Sequence, residues 1–269
     1  HGNYIADDSP IPSMTYTSYA IYHYYGTTTS AGVAEYINNT INLNSGYYRM
    51  GIYELDYYAT GKIFLHNTIY MRAPQGYGYG IYSFHYAYYD VDFKNNIIDV
   101  IFNNYVSTFY DIYSYTYGNF NADGNVLPGN TGNGLHYVGY TYSLNQGGGT
   151  AQTFAQWQNL AMFPDPNGSS IRPTYVNPAT HNMEPTIIDL DGAGIAAGVT
   201  VDQKNNARSL TNPDPGAIEF DIPINVTAIT FPNVICQGST DNVEVTITNN
   251  SNLNLSNFYV VYEIDGKVI

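Results

Sequence analysis

The sequence predicts an all-β chain built as a parallel β-helix, a solenoid with one coil per repeat, followed by part of a β-sandwich. Three observations carry this. An Ile-Tyr dipeptide recurs at Ile21, Ile52, Ile81 and Ile112, with separations of 31, 29 and 31 residues. An Asn followed by a β-branched and an aliphatic residue recurs as Asn39-Thr40-Ile41, Asn67-Thr68-Ile69, Asn96-Ile97-Ile98 and Asn125-Val126-Leu127, with separations of 28, 29 and 29. After each Ile-Tyr comes a polar residue (His23, Glu54, Ser83, Ser114) and then an apolar one (Tyr24, Leu55, Phe84, Tyr115). That two-residue alternation belongs to strands, and a fixed period of this length belongs to stacked units.

Strand pairing between coils would set equivalent residues in columns about 4.8 Å apart. Tyr22, Tyr53, Tyr82 and Tyr113 then share a column in which aromatic rings stack. Asn39, Asn67, Asn96 and Asn125 become an amide ladder at a corner, each donating to one neighbour and accepting from the other. Asn also tolerates the left-handed backbone that a corner requires.

In chain order, residues 1–12 form an irregular lead-in, and the alternation begins over 14–25. Residues 26–32 are a Thr/Ser loop, 42–46 a polar corner, and 74–80 a Gly-rich turn with aromatic residues on its rim. Beyond Leu127 the period blurs. Loops at 129–134 and 147–149 flank one further strand over 135–144. Residues 153–163 are the one helix the pattern supports, with Phe154, Trp157, Leu160 and Ala161 on one face, and this helix is expected as a lateral cap.

The runs IRPTYVNP, EPTIIDLDG, VTVDQKNNARS and NPDPGAIEFD, around residues 172–221, resemble the closing segment of right-handed parallel β-helix proteins secreted by Bacteroidota-type bacteria. Asp189 matches the acidic residue of that family's second element. Asp202 and Arg208 match the third, and Asp214, Gly216, Ala217 and Glu219 the last. Asn205-Asn206 stand where the family usually has Gly, and Arg172 where its turn has Asp. The resemblance covers roughly residues 20–221 and implies a right-handed β-helix. It is less specific about function, because the same scaffold hosts lyases, hydrolases, adhesins and inert stalks.

After residue 221 the composition shifts to three alternating strands around 226–229, 243–248 and 258–264, joined by Gly/Asn/Ser turns. This stretch resembles the opening half of an immunoglobulin-like, cell-adhesion-related bacterial module. A sandwich needs about seven strands, so the expected organisation is a β-helix over 1–221 and the N-terminal part of an Ig-like module over 222–269.

Composition narrows the function. The chain has 30 Tyr against 11 Phe and 1 Trp, and only 11% of its residues are charged. The formal charge of −14 repels phosphate backbones and anionic membranes, so nucleic acid is not an expected partner. A single cysteine, Cys236, excludes an internal disulfide framework and multi-thiolate metal sites. No apolar run of about 18 residues is present to span a bilayer as a helix. A chain opening at His1 without an initiating Met or signal peptide reads as a processed or excised piece. An extracellular or cell-surface setting is expected.

Asp90 and Asp92 are the candidate calcium ligands, since alternate strand residues share a face and carboxylate oxygens suit that ion. Lys94 lies beside them, and Glu54 and Asp56 on the preceding coil could join. The competing reading, a solvated acidic outer face, is favoured, and no other cofactor is expected. Across the repeats only Arg49, Lys62, Arg72 and Lys94 are basic, a poor complement for an anionic polysaccharide. Glycoside hydrolysis needs two carboxylates facing each other across the bond, an arrangement that no sequence motif here specifies. His23, His66, His85, His136 and His181 show no paired metal-site spacing, and no GxSxG elbow occurs. GAGIAAG at Gly192 has one residue too many for a dinucleotide fingerprint. Tyr57, Tyr58, Tyr77, Tyr79, Tyr86 and Tyr88, in or beside loops, are candidates for stacking on glycans, against the alternative that they are core and ladder residues.

The leading expectation is a non-catalytic segment of a larger secreted or surface protein, an adhesin or structural stalk. Its expected partners are glycans or surfaces and the other modules of its parent. By the resemblance it is a type IX secretion substrate that meets that export machinery. A carbohydrate-active enzyme, lyase or glycoside hydrolase, is the rival. A filament subunit stacking through open strand edges is the third reading.

Overall fold

The computed structural model of the chain describes residues 1–7, 17–24, 32–44, 48–56, 59–73, 78–85, 88–102, 108–129, 135–151, 153–160, 165–221, 224–230, 244–249, 263–264 and 267–268. A short strand β1 (Tyr4–Asp7) precedes coils of three strands each. The first coil holds β2 (Thr17–Tyr24), β3 (Val33–Ile37) and β4 (Thr40–Leu43), and the second holds β5 (Tyr48–Leu55), β6 (Gly61–Leu65) and β7 (Thr68–Ala73). The third holds β8 (Gly78–His85), β9 (Val91–Lys94) and β10 (Ile97–Phe102). The fourth holds β11 (Thr108–Thr116) and β12 (Phe120–Asp123), after which Val126 bridges to Ile97 in place of a full strand. The chain then returns as β13 (Leu135–Ser143).

The result is a parallel β-solenoid with three sheets: β2-β5-β8-β11-β13, β3-β6-β9-β12 and β1-β4-β7-β10. Register is strict. Ile21 pairs with Ile52, Ile52 with Ile81, and Ile81 with Ile112, all in parallel. In the second sheet Tyr36, Phe64, Phe93 and Phe120 stack inward at centroid spacings of 4.9, 4.7 and 5.0 Å. In the third, Ile41, Ile69 and Ile98 lie in register and are fully buried. Each coil thus covers the apolar face of its neighbours, and stability accumulates contact by contact along the axis. The first sheet also holds tight approaches between coils: a Cβ on Gly80, for example, would sit 2.5 Å from the carbonyl oxygen of Asp111, so only glycine fits there.

The period continues beyond Leu127, where the sequence pattern blurs, because β13 keeps the parallel register of β11. Residues 147–149, expected as a loop, belong instead to β14 (Gly147–Ala151), which pairs antiparallel with β13. The helix is short, α1 (Phe154–Gln158), with Thr153 and Gln156 forming a capping box. It seals the end of the core rather than its side. Trp157 is fully buried against Gly139, where a Cβ would meet its ring at 2.0 Å. Gly139 occupies the register position held by isoleucine in the earlier coils, so the column opens at this rung to admit the indole.

Residues 165–221 run across the outer face of the third sheet. Arg172 Nη1 lies 2.6 Å from Asp99, Tyr70 meets Tyr175 edge-on, and Asn42 donates to the Pro178 carbonyl. Thr40 bonds Gln203, and the Ala217 N–H donates to Thr68. A second small core joins Ile97 and Val126 to Leu190 and Phe220. Within this segment β15 (Tyr175–Asn177) and β16 (Asn182–Pro185) form an antiparallel hairpin. In the tail, β17 (Ile224–Thr230) pairs antiparallel with β18 (Glu244–Asn249), and β19 (Glu263–Ile264) with β20 (Lys267–Val268). Among the described residues no helix is long and apolar enough to cross a membrane.

Candidate functional site

A buried amide ladder holds the corner between the second and third sheets. Each Asn Nδ2 donates to the Oδ1 one coil further on: Asn3 to Asn39 at 3.0 Å, Asn39 to Asn67 at 2.8 Å, and Asn67 to Asn96 and Asn96 to Asn125 at 2.9 Å. The backbone N–H of each residue donates to the same oxygen. The left-handed backbone falls on the residue before each rung, at Asn38, His66, Asn95 and Gly124, with φ of 56°, 53°, 55° and 68°. The ladder asparagines themselves are therefore free to point inward. A ladder with this polarity needs an acceptor at its far end, and Asp165 supplies one: Asn125 Nδ2 donates to it at 3.0 Å and Trp157 Nε1 at 3.3 Å. Burial pushes the Asp165 carboxyl up to about 6, opposed by those hydrogen bonds. Asp165 lies outside the sequence period, 40 residues after Asn125, so no repeat marker points to it.

This rigid frame presents the outer face of the first sheet. Strand alternation turns small polar residues such as Ser83, Ser114 and Thr141 inward and tyrosines outward. Three rows run along the solenoid axis. The central row is Tyr22, Tyr53, Tyr82, Tyr113 and Tyr140, stacked at 5.6, 4.5, 5.1 and 4.6 Å. On one side Tyr79, Tyr110 and Tyr137 stack at 5.8 and 4.9 Å, and they meet the central row edge-on. On the other side Phe84, Tyr115 and Tyr142 stack at 4.8 and 4.6 Å. Offset stacks and edge-to-face contacts are the favoured aromatic geometries, so each ring is held in place by its neighbours. The outward positions of these strands carry no charged side chain. Burial first, then neighbouring phenols, raise the Tyr110 and Tyr113 hydroxyls above their ordinary range, so both stay protonated donors at neutral pH.

The ionisable groups of the coils sit elsewhere. Glu54 and Asp56, expected on an acidic outer face beside Asp90 and Asp92, are buried. Glu54 is ion-paired to the fully buried Lys62, whose Nζ also donates to the Phe84 carbonyl at 2.7 Å. Desolvation pushes Glu54 up to about 7, opposed by Lys62, and lowers Lys62. His23 Nδ1 lies 2.6 Å from the Tyr36 hydroxyl at the edge of this cluster. A second internal pair joins His136 to Asp111 at 2.6 Å.

Asp90 and Asp92 do share a corner, beside a cleft of about 330 Å³ that Tyr88 and Tyr89 also line. Asp90 accepts from the Asn119 N–H, and Asp92 from Asn121 Nδ2 and Lys94. Among the described residues no group of three or more His, Cys, Asp or Glu is placed to hold a metal ion. Of the loop tyrosines, Tyr57, Tyr58, Tyr77 and Tyr86 lie outside the described residues. Tyr79 belongs to the stacked face, and Tyr88 is 72% exposed near Tyr117.

The charged residues of the closing segment form a knot. Arg208 binds Glu219 at 2.8 Å, the Gly216 carbonyl at 2.8 Å and Asn38 Oδ1 at 3.0 Å. Asp214 accepts the N–H groups of Gly192 and Phe220, and Asp202 those of Asn206 and Glu219. Burial pushes the Asp214 carboxyl up to about 7. Asp189 is exposed and outside the knot. These residues tie the segment to the corner of the solenoid and face one another rather than solvent. A larger cleft of about 470 Å³ lies where the segment meets β1 and β4, lined by Tyr4, His181, Gln203 and Lys204 among others.

No protein-family model, curated protein or solved structure matches this chain.

Proposed function

We propose that this chain is a non-catalytic, extracellular or cell-surface binding rod that contacts its target through the tyrosine face of the first sheet. The observation that carries this reading is an uncharged wall of stacked tyrosines, rigid before any partner arrives. Tyrosine offers a large amphipathic contact at a low cost in side-chain entropy, and stacking lowers that cost further. Contiguous exposed aromatic surface of this kind marks interaction sites in other proteins.

Five parallel strands with about eight residues each cover roughly 600 Å² at the usual strand spacings. That is below the roughly 800 Å² per partner of a standard interface, so one face binds modestly and several in one parent chain would act by avidity. We infer also a right-handed coil, export by type IX secretion from a Bacteroidota-type bacterium, and a tail that opens an Ig-like sandwich. The motif runs around 172–221 and the alternating tail strands support them.

Adhesion of purified protein to cells and to polysaccharide-coated beads tests the reading. Tyr82→Lys and Tyr113→Lys, which put ions on the face and remove ring contacts within the rows, should each abolish retention under conditions where circular dichroism shows the variant still folded. Retention of either variant at the wild-type level refutes the role of the face. The rival, a carbohydrate-active enzyme, draws on Asp90 and Asp92 beside the cleft lined by Tyr88 and Tyr89. Release of unsaturated or reducing sugars from a panel of plant and algal polysaccharides would establish it instead.

A further inference from the structure

We propose that the tyrosine face takes an extended, neutral, β-linked polysaccharide chain laid along the solenoid axis; this rests on the binding reading above and names its ligand. Periodicity selects the shape of the ligand. The central row repeats every 4.5 to 5.6 Å over five rungs. A polymer that registers with every rung must repeat at nearly the same distance and run straight. Sugars in an extended β-1,4-linked chain do so, each presenting hydroxyls at its rim and an apolar C–H face. A peptide strand laid along the row repeats its same-side residues at about 6.6 Å and falls out of step within two rungs.

Charge selects among such polymers. The face carries no ion, while the chain as a whole carries −14. An anionic glycan is repelled at long range and finds no cation on the face. A neutral one loses nothing. The chemistry of the rungs agrees. Each rung offers, at the outward edge of a ring whose faces lie against its neighbours, a phenolic hydroxyl that donates and accepts, which matches the hydroxyl rim of a sugar. A second copy of this chain is the less suitable occupant. Two such faces would bury only about 1,200 Å² in total, at the lower limit for a specific interface, between bodies of like charge.

Titration calorimetry with soluble β-1,4-linked gluco- and manno-oligosaccharides of increasing length tests the proposal. Affinity should rise with each added sugar until the chain spans the five rungs, then level off, and should change little between low and high salt. The combined variant Y53F/Y82F/Y113F keeps the stacks and removes three hydroxyls. It should melt as wild type does and weaken binding at least about tenfold. Absence of binding to every neutral chain, affinity independent of length, or tyrosine-dependent doubling of mass in solution overturns the proposal. If tyrosine-dependent adhesion to cells persists while no neutral chain binds, the ligand class is wrong and the binding rod stands. If neither occurs, both fall.

Discussion

Replacing Asn96 by Ala is the sharpest test of what holds the solenoid together. The side chain is fully buried and makes four hydrogen bonds. Its Nδ2 donates to Asn125 Oδ1 and to the Phe64 carbonyl, and its Oδ1 accepts from the Asn67 amide and backbone N–H. Two partners keep an alternative: Asn125 Oδ1 still accepts the Asn96 backbone N–H, and Asn67 Nδ2 still donates to the Tyr36 carbonyl. The Asn67 N–H and the Phe64 carbonyl lose the side-chain partner named for each. Leaving a buried polar group unsatisfied costs about 1–3 kcal/mol, so the variant should lose about 3–5 kcal/mol once the missing side-chain volume is included. That is a large share of the roughly 5–15 kcal/mol that stabilises a typical domain. Urea unfolding followed by far-UV circular dichroism reads the loss, and hydrogen exchange at residues 67 and 96 localises it. Asn121→Ala serves as the control, because that half-buried side chain donates a single bond to Asp92. The ladder account fails if Asn96→Ala costs under about 1 kcal/mol, or no more than the control.

Other perturbations probe the remaining parts. Gly139→Ile should expel Trp157 from the end of the core, red-shifting the emission of the one tryptophan and costing about 2–4 kcal/mol; an unshifted spectrum would contradict the packing. His66 is held down to about 3, chiefly by burial and then by Arg208. Its folded value lies below the free one near 6.5, so the unfolded chain takes up the proton first and stability is lost as pH falls from about 6.5 towards 3. His66→Asn, which places there the residue type found at the equivalent corners 38 and 95, should flatten that dependence, and an unchanged slope in pH-dependent melting would assign it elsewhere. Arg208→Met leaves Glu219 and Asn38 without their guanidinium and should cost about 3–5 kcal/mol. Limited proteolysis should then cut within residues 186–221 before the coils, and resistance equal to wild type would show that the knot does not hold the segment.

Much of the solenoid was readable from residue order. The paired markers Ile21/Ile52/Ile81/Ile112 and Asn39/Asn67/Asn96/Asn125 each recur once per coil, and a period in sequence becomes a column in space wherever each coil pairs with the next. Where the period lapses, residue order says less. Tyr140 and Tyr142 extend the tyrosine rows through β13, yet they follow a loop of different length and carry no Ile before the Tyr. Asn3 and Asp165 end the ladder from outside the repeat. Glu54 and Asp56 were misplaced for another reason: charged residues are normally solvated, and alternation alone does not reveal that Lys62, eight residues after Glu54, turns into the same interior and neutralises it.

By itself, then, the order of residues determined the coil length, the strand alternation and which side chains share a column, because these follow from local geometry repeated without change. Tertiary structure decided what each column faces. Whether a stacked tyrosine row is bare or covered, and whether a carboxylate meets solvent or a lysine, depends on how the closing segment crosses one sheet and leaves another open. That choice rests on contacts between residues a hundred or more positions apart, such as Asn38 with Arg208 and Asn95 with Ile195, which no short-range pattern encodes.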